Sequence, residues 1–525
     1  MRKTAIFFLI LILFSMIPIP FVKADWLAGW DQRVKITVDS GDIDGALTNF
    51  PFLIYISDSS GINNEDITFI FDEVGANSLK IAVTEDDGTT ECKVEIERWD
   101  LGNEEAWLWV KGPSIVSGSD TDFYLYFDND HADNGANVGE IGSPVGQSVW
   151  DSEYSAVWHM RDKTTSTIWD STSYENTATK TVATEPDEVN AKIDKGQYFD
   201  GDDITTVSDE PELDIMANEY WSVEFWVNKD GATSGQIILS KSVDTGYERW
   251  HIWLVGSTPT SNNIIYMTIY DTNSVVDNIA STGILADSTW YHILFSGRNE
   301  NEVICYLNGE YKSETAIATI SSWSNPDELR IGVRFHASAS NFYEGLFDEI
   351  RLSSGSSVSA RRSAEWAKAS YETQIDDLLD WGIEEFSILP PSNPNLLFGA
   401  GFNASSPYVK LHWNHSLLDV QLFEVQNSSD KISWDYLGNS TTANYTDTEV
   451  FNGTARFYRV RACNFTDGSW FNSSFSDIDF EIVYFLPPIG VIENGITIIE
   501  SDAPWIALAI ILSIIAFLLA MGKRK

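Results

Sequence analysis

The stretch WSVEFWVNKDGATSGQIILSK, Trp221–Lys241, decides the fold. In VEFWV, residues Val223, Phe225 and Val227 fall on one face of an extended chain while Glu224 and Trp226 fall on the other, because strand side chains alternate with period two. Further on, ICYLNGEYK (Ile304–Lys312) joins two such runs through Asn308-Gly309, the signal of a two-residue type I′ hairpin. Two sheets of this kind stacked ~10 Å apart would bury their aromatic-rich faces as one core.

The pattern extends toward the N-terminus. RVKITVD, FPFLIYI, ITFIF, CKVEIERW, AWLWVKG and DFYLYF are short alternating runs broken by Gly, Asp, Asn and Ser, so residues 25–147 read as a β-rich module. Within it, EDDGTTE (Glu85–Glu91) spaces its carboxylates much as a glycosidase strand would. An acid/base pair of that kind needs alternate strand positions with apolar residues between them. Here Asp87-Gly88 marks a turn instead, and no catalytic role is expected.

Both ends carry membrane signals. Arg2 and Lys3 precede the apolar run AIFFLILILFSMIPIP and a small-residue boundary at Val22-Lys23-Ala24, a secretory signal peptide over 1–24. Residues 504–521 are uncharged, end against the basic tail 522–525, and at ~1.5 Å per residue would span roughly 27 Å as a helix. Positive residues stay inside, which predicts a single-pass protein of the cell membrane with an N-terminal ectodomain outside and the tail in the cytoplasm. A net charge of −45 repels phosphate backbones and excludes nucleic acid as a partner. Cys92, Cys305 and Cys463 fall one to a domain, so no domain can staple itself and each thiol is expected to be a small buried hydrophobe.

Eight Asn-x-Ser/Thr tripeptides crowd one segment, at Asn403, Asn414, Asn427, Asn439, Asn444, Asn452, Asn464 and Asn472. On an exported chain these are glycosylation acceptors, and they predict a sugar-sheathed stalk next to the membrane across the linker 486–503.

Three resemblances follow from these motifs. WDQRVKITVD, LTNFPFLIYI, EIERWD with AWLWVKGP, and FYLYFDNDHA resemble, in order, an uncharacterised module found at the start of prokaryotic, archaeal-type, membrane-anchored surface proteins. That resemblance brings no catalytic residues. AVWHM, GQYFDGDDITTV, WSVEFWV, TWYHILFSG, VICYLNGEYKS and YEGLFDEIRLSS resemble the concanavalin A-like, laminin-G-like lectin/glucanase sandwich over 149–385, with RSAEWAKASYETQ as a trailing helix whose Trp366 and Tyr371 are available to pack back on it. YVKLHWN, FEVQNSSDKISWDYLG, NYTDTEV and NGTARFYRVRACN resemble a fibronectin type III domain over 390–485, with Trp413 facing the core and Tyr458, Val460 and Ala462 alternating inward.

The expected architecture is thus an all-β ectodomain of tandem β-sandwiches plus one C-terminal transmembrane helix. The laminin-G-like resemblance implies a structural Ca²⁺, a hard ion held by oxygens, with Asp202, Asp203 and Asp348 as its ligands. Carbohydrate binding needs aromatic platforms outside the core, and Trp250, Trp253 and Trp323 are the candidates. The reading is a non-catalytic surface binding or adhesion protein whose partner is an extracellular glycan or surface protein. A structural envelope component is the alternative, and a surface glycoside hydrolase ranks below both.

Overall fold

The computed structural model describes residues 26–230 without a break, then 235–242, 249–255, 263–270, 276–280, 284–298, 302–316, 326–336, 338–387, 401–403, 406–413, 422–430, 432–449, 454–466, 469–472 and 479–483. The expected signal peptide 1–24, the expected linker 486–503 and the apolar segment 504–521 lie outside the described residues, among which no helix is long and apolar enough to cross a membrane. The chain is all-β with few helices and divides into two compact units, 1–387 and 388–525.

The first unit opens with β1 (Gln32–Val38), β2 (Leu47–Ile56), β3 (Ile81–Thr84), β4 (Val94–Asp100), β5 (Glu105–Ile115), β6 (Thr121–Phe127) and β7 (Val138–Glu140). They form two facing sheets, β2-β5-β4-β7 and β1-β6-β3, around Val34, Ile36, Phe50, Phe52, Leu108 and Val110. One run departs from its reading. ITFIF does not make a strand: Phe69–Val74 is helical, burying Ile70, Phe71 and Val74 on one face and stopping at Gly75 (φ 55°). The EDDGTTE segment is the turn its Asp-Gly foretold, with the Asp87 carboxylate accepting from the amides of Thr89 and Thr90 at 2.7 Å each.

A second sandwich follows within the same unit. β8 (Tyr154–Trp158) and the Glu344–Gly355, Tyr220–Lys229 and Trp290–Arg298 strands belong to an eight-stranded sheet, which faces a nine-stranded one. Val223 lies opposite Phe295 and Phe225 opposite Ile293, so the alternation in VEFWV supplies one wall of the core. Asn308 and Gly309 take φ of 50° and 75°, the left-handed pair that a type I′ turn demands.

The Ala364–Gln374 helix is capped by Ser363, whose hydroxyl accepts from the Trp366 amide at 3.3 Å. It serves both sandwiches. Trp366 packs edge-on to Phe50 in the first core at 4.9 Å, while Tyr371 stacks on Trp226 of the second at 5.8 Å. The chain then runs into a strand, Leu379–Phe386, that pairs antiparallel with β1. The last strand of the expected 149–385 domain thus completes the sheet of the expected 25–147 module, and the first sandwich is built from two pieces of sequence with the second between them.

In the second unit a three-stranded sheet (Gly401–Asn403, Ser406–His412, Asn444–Asp447) and a five-stranded sheet led by Leu422–Ser428 and Thr454–Thr466 share a small core. Trp413, Tyr458, Val460 and Ala462 are buried there as their alternation requires. All three cysteines are free and buried.

Candidate functional site

β2, β5 and β4 are neighbours in one sheet, and their register sets three outward side chains in a row. Tyr55 lies directly opposite Trp107, and Trp107 opposite Arg98. The two rings are 5.2 Å apart and inclined by 33°, and the Arg98 guanidinium sits 5.9 Å from the Trp107 ring. Inward positions between them, Ile54, Ala106 and Leu108, hold the core, so the row is fixed by packing beneath it. Asp100 and Asp194 clamp Arg98 from either side.

This platform floors a cleft of about 490 Å³, whose other wall is the Asn190–Lys195 segment of the second sandwich and the end of the Ala364–Gln374 helix. The helix stops in a left-handed turn at Asp376 (φ 63°), and that carboxylate accepts from the Gly61 amide at 2.9 Å. Burial raises the Asp376 carboxyl to about 6. Tyr55 donates to Glu105 at 2.9 Å, and burial followed by that carboxylate pushes its phenol up to about 12. Lys192 is half-buried with its ammonium 5.1 Å from the Trp226 ring, and burial lowers its pKa. Arg98, Lys192 and Lys195 face Glu105, Asp194 and Asp376, so the lining is balanced in charge on a strongly acidic protein. Flat aromatic faces flanked by carboxylates, amides and ammonium groups suit a ligand with one apolar face and many hydroxyls.

The tryptophans expected to bind ligand lie elsewhere. Trp250 is 2% exposed and packs in the second core with Ile252 and Leu254, so it is no surface platform. Trp253, on the opposite face of the same strand, is half-buried and donates to Thr268 at 3.1 Å. Trp323 lies outside the described residues. The expected calcium set is not assembled either. Asp202 and Asp203 cluster with Asp200 on an exposed turn, whereas both oxygens of Asp348 are taken by the amides of Ile193 and Glu349. Asp200 pairs with Glu344, four residues before Asp348, roughly 13 Å along the strand.

Of the eight sequons, Asn439 and Asn444 are exposed. Asn427 is 4% exposed within its strand, and a glycan there is incompatible with that burial. Asn403, Asn464 and Asn472 lie on strands, and Asn414 and Asn452 fall outside the described residues. The sequence reading missed all three: Tyr55 and Trp107 are outward residues of alternating runs it had identified, whereas Arg98 joins that face only because β4 bulges between Ile96 and Arg98.

Residues 199–360 match the concanavalin A-like lectin/glucanases superfamily, and residues 76–144 match a domain of unknown function, DUF2341. The chain therefore contains a concanavalin A-like, laminin-G-like domain and this second module. No curated protein matches it. Among solved structures it is similar to domain 4 of AbnA, a GH43 extracellular arabinanase from Geobacillus stearothermophilus in complex with arabinotriose, at 19% identity over 41% of this chain and 98% of that one, with a TM-score of 0.31. It is also similar to the binding domain of botulinum neurotoxin DC (10%, 61% and 73%, TM-score 0.33) and to that of Paraclostridial Mosquitocidal Protein 1 (10%, 61% and 91%, TM-score 0.34).

Proposed function

We propose that this is a non-catalytic cell-surface binding protein whose cleft at Tyr55, Trp107 and Arg98 takes an extracellular glycan. The observation that carries the reading is the aromatic row lying along a cleft with balanced charge and many hydrogen-bonding groups. The superfamily match over 199–360 supports the presence of a binding module in the chain, and the aromatic row itself lies outside the matched residues. A catalytic role draws no support from EDDGTTE, because its carboxylates sit on a turn rather than along one strand face. In this reading the signal segment exports the chain, the apolar segment 504–521 anchors it as a single-pass membrane protein, and the fibronectin-like unit is the glycosylated stalk. The calcium expectation moves to Asp200, Asp202 and Asp203. A glycan array probed with the wild-type protein and with Trp107→Ala, each with and without chelator, tests the proposal. Signals lost in Trp107→Ala support the cleft; signals equal in both proteins reject it, and signals lost with chelator and restored by calcium but not by zinc assign binding to the acidic turn.

A further inference from the structure

We propose that Glu97, His159 and Glu349 bind a divalent transition ion of the zinc class, a structural site that ties the first sandwich to the second. The inference does not depend on what the cleft binds. Glu95 and Glu97 lie on β4, which bulges between Ile96 and Arg98, and both carboxylates reach His159 of the second sandwich. From that sandwich come His159, just after β8, and Glu349. None of the four is more than 1% exposed. Glu349 holds φ at 49°, a left-handed conformation rare for glutamate, where the Glu344–Gly355 strand bulges against its neighbour.

The arrangement has the layering of a metal site. His159 Nε2 contacts Glu95 at 3.2 Å, and with the proton on Nε2 this is the carboxylate hydrogen bond that orients a ligating histidine and leaves Nδ1 as the donor. Nδ1 faces Glu97 Oε2 at 3.4 Å and Glu349 Oε1 at 2.6 Å. Each prospective carboxylate ligand is itself held: Trp109 Nε1 donates to Glu97 Oε2 at 2.7 Å, and Arg351 donates to Glu349 Oε2 at 2.6 Å. A tetrahedral zinc with bonds of about 2.05 Å needs donors roughly 3.3 Å apart. The Glu97 separation meets that, and the Glu349 contact opens by roughly 0.7 Å to reach it.

A second observation points to a cation. Glu95 Oε1 and Glu97 Oε1 are fully buried and accept no hydrogen bond. A bare buried carboxylate oxygen is costly, and among the described residues the three carboxylates of Glu95, Glu97 and Glu349 meet two basic side chains at ion-pair distance, His159 and Arg351. Three side-chain ligands leave a fourth position, as in a catalytic zinc, but Glu97, His159 and Glu349 are buried, so that position is closed to substrate and the role is structural. The competing occupant is a proton shared between His159 and Glu349.

The test uses the tag-free full chain in detergent, stripped by chelator and titrated with zinc, beside Glu97→Gln and Glu349→Gln. One zinc per chain is expected for wild type, with affinity lower by at least about tenfold in either variant, and a melting temperature raised by zinc in wild type alone. Equal zinc uptake by wild type and variants, or no uptake and no shift in melting, overturns the proposal in favour of the shared proton. Should the variants fail to fold, cobalt added to wild type decides: an intense visible band supports the low-coordinate site, and its absence overturns it.

Discussion

Glu224 lies on the strand face that alternation assigns to solvent, yet it is 3% exposed because the Ala364–Gln374 helix covers that face. Ser370 and Gln374 donate to its carboxylate, and His292 contacts it at 2.9 Å. Burial alone would raise its pKa, but the His292 hydrogen bond and the Arg351 charge outweigh burial and hold it at about 2. A depressed carboxyl adds stability above its unfolded value, and that stability is lost as pH falls from about 4.5 toward 2. The contribution is about 3 kcal/mol at neutral pH. In urea titrations Glu224→Gln should therefore be less stable than wild type at pH 7 and nearly equal to it at pH 2; an unchanged gap at both would refute this account. The sequons separate in the same residue-by-residue way. Mass spectrometry of the protein from its native source should find Asn439 and Asn444 modified and Asn427 bare, and a glycan on Asn427 would contradict the placement of its strand.

At the scale of elements, what the sequence reveals is what is local. Alternation in VEFWV and the Asn308-Gly309 turn involve neighbours in the chain, so both could be read directly. ITFIF misled because four apolar residues around one threonine fit a strand or one turn of a helix, and only the following Gly75 and the packing of Val74 decide between them. The platform was beyond reach for a different reason: Tyr55, Trp107 and Arg98 meet through strand register, which no single segment encodes. The trailing helix could be located, but not that it would bury one face in the first core and cover the outer face of the second sandwich with the other. Trp366 is 6% exposed against Phe50, so Trp366→Ala should cost about 3–5 kcal/mol by thermal or urea unfolding. A loss below 1 kcal/mol would show that the helix is not wedged into the first sandwich.

Across the whole first unit, the pairing of Leu379–Phe386 with β1 joins residues more than 300 positions apart, and that strand completes a four-stranded sheet. Residues 25–147 alone would expose the flank of β1 and the floor left by the helix, so they should fail to fold cooperatively, while residues 25–387 should fold. Far-ultraviolet dichroism through a thermal ramp distinguishes the two fragments, and a cooperative transition in the shorter one would refute the discontinuous sandwich. The same closure brings the Asn190–Lys195 segment and Asp376 over the aromatic row, so the cleft exists only once both sandwiches are formed. The measurement that bears most directly on the glycan reading is calorimetric titration of a bound oligosaccharide into wild type and into Trp107→Ala of equal melting temperature. The account predicts at least about a tenfold loss of affinity in the variant, the cost of about 1.4 kcal/mol from a lost stacking face; equal affinities would contradict it.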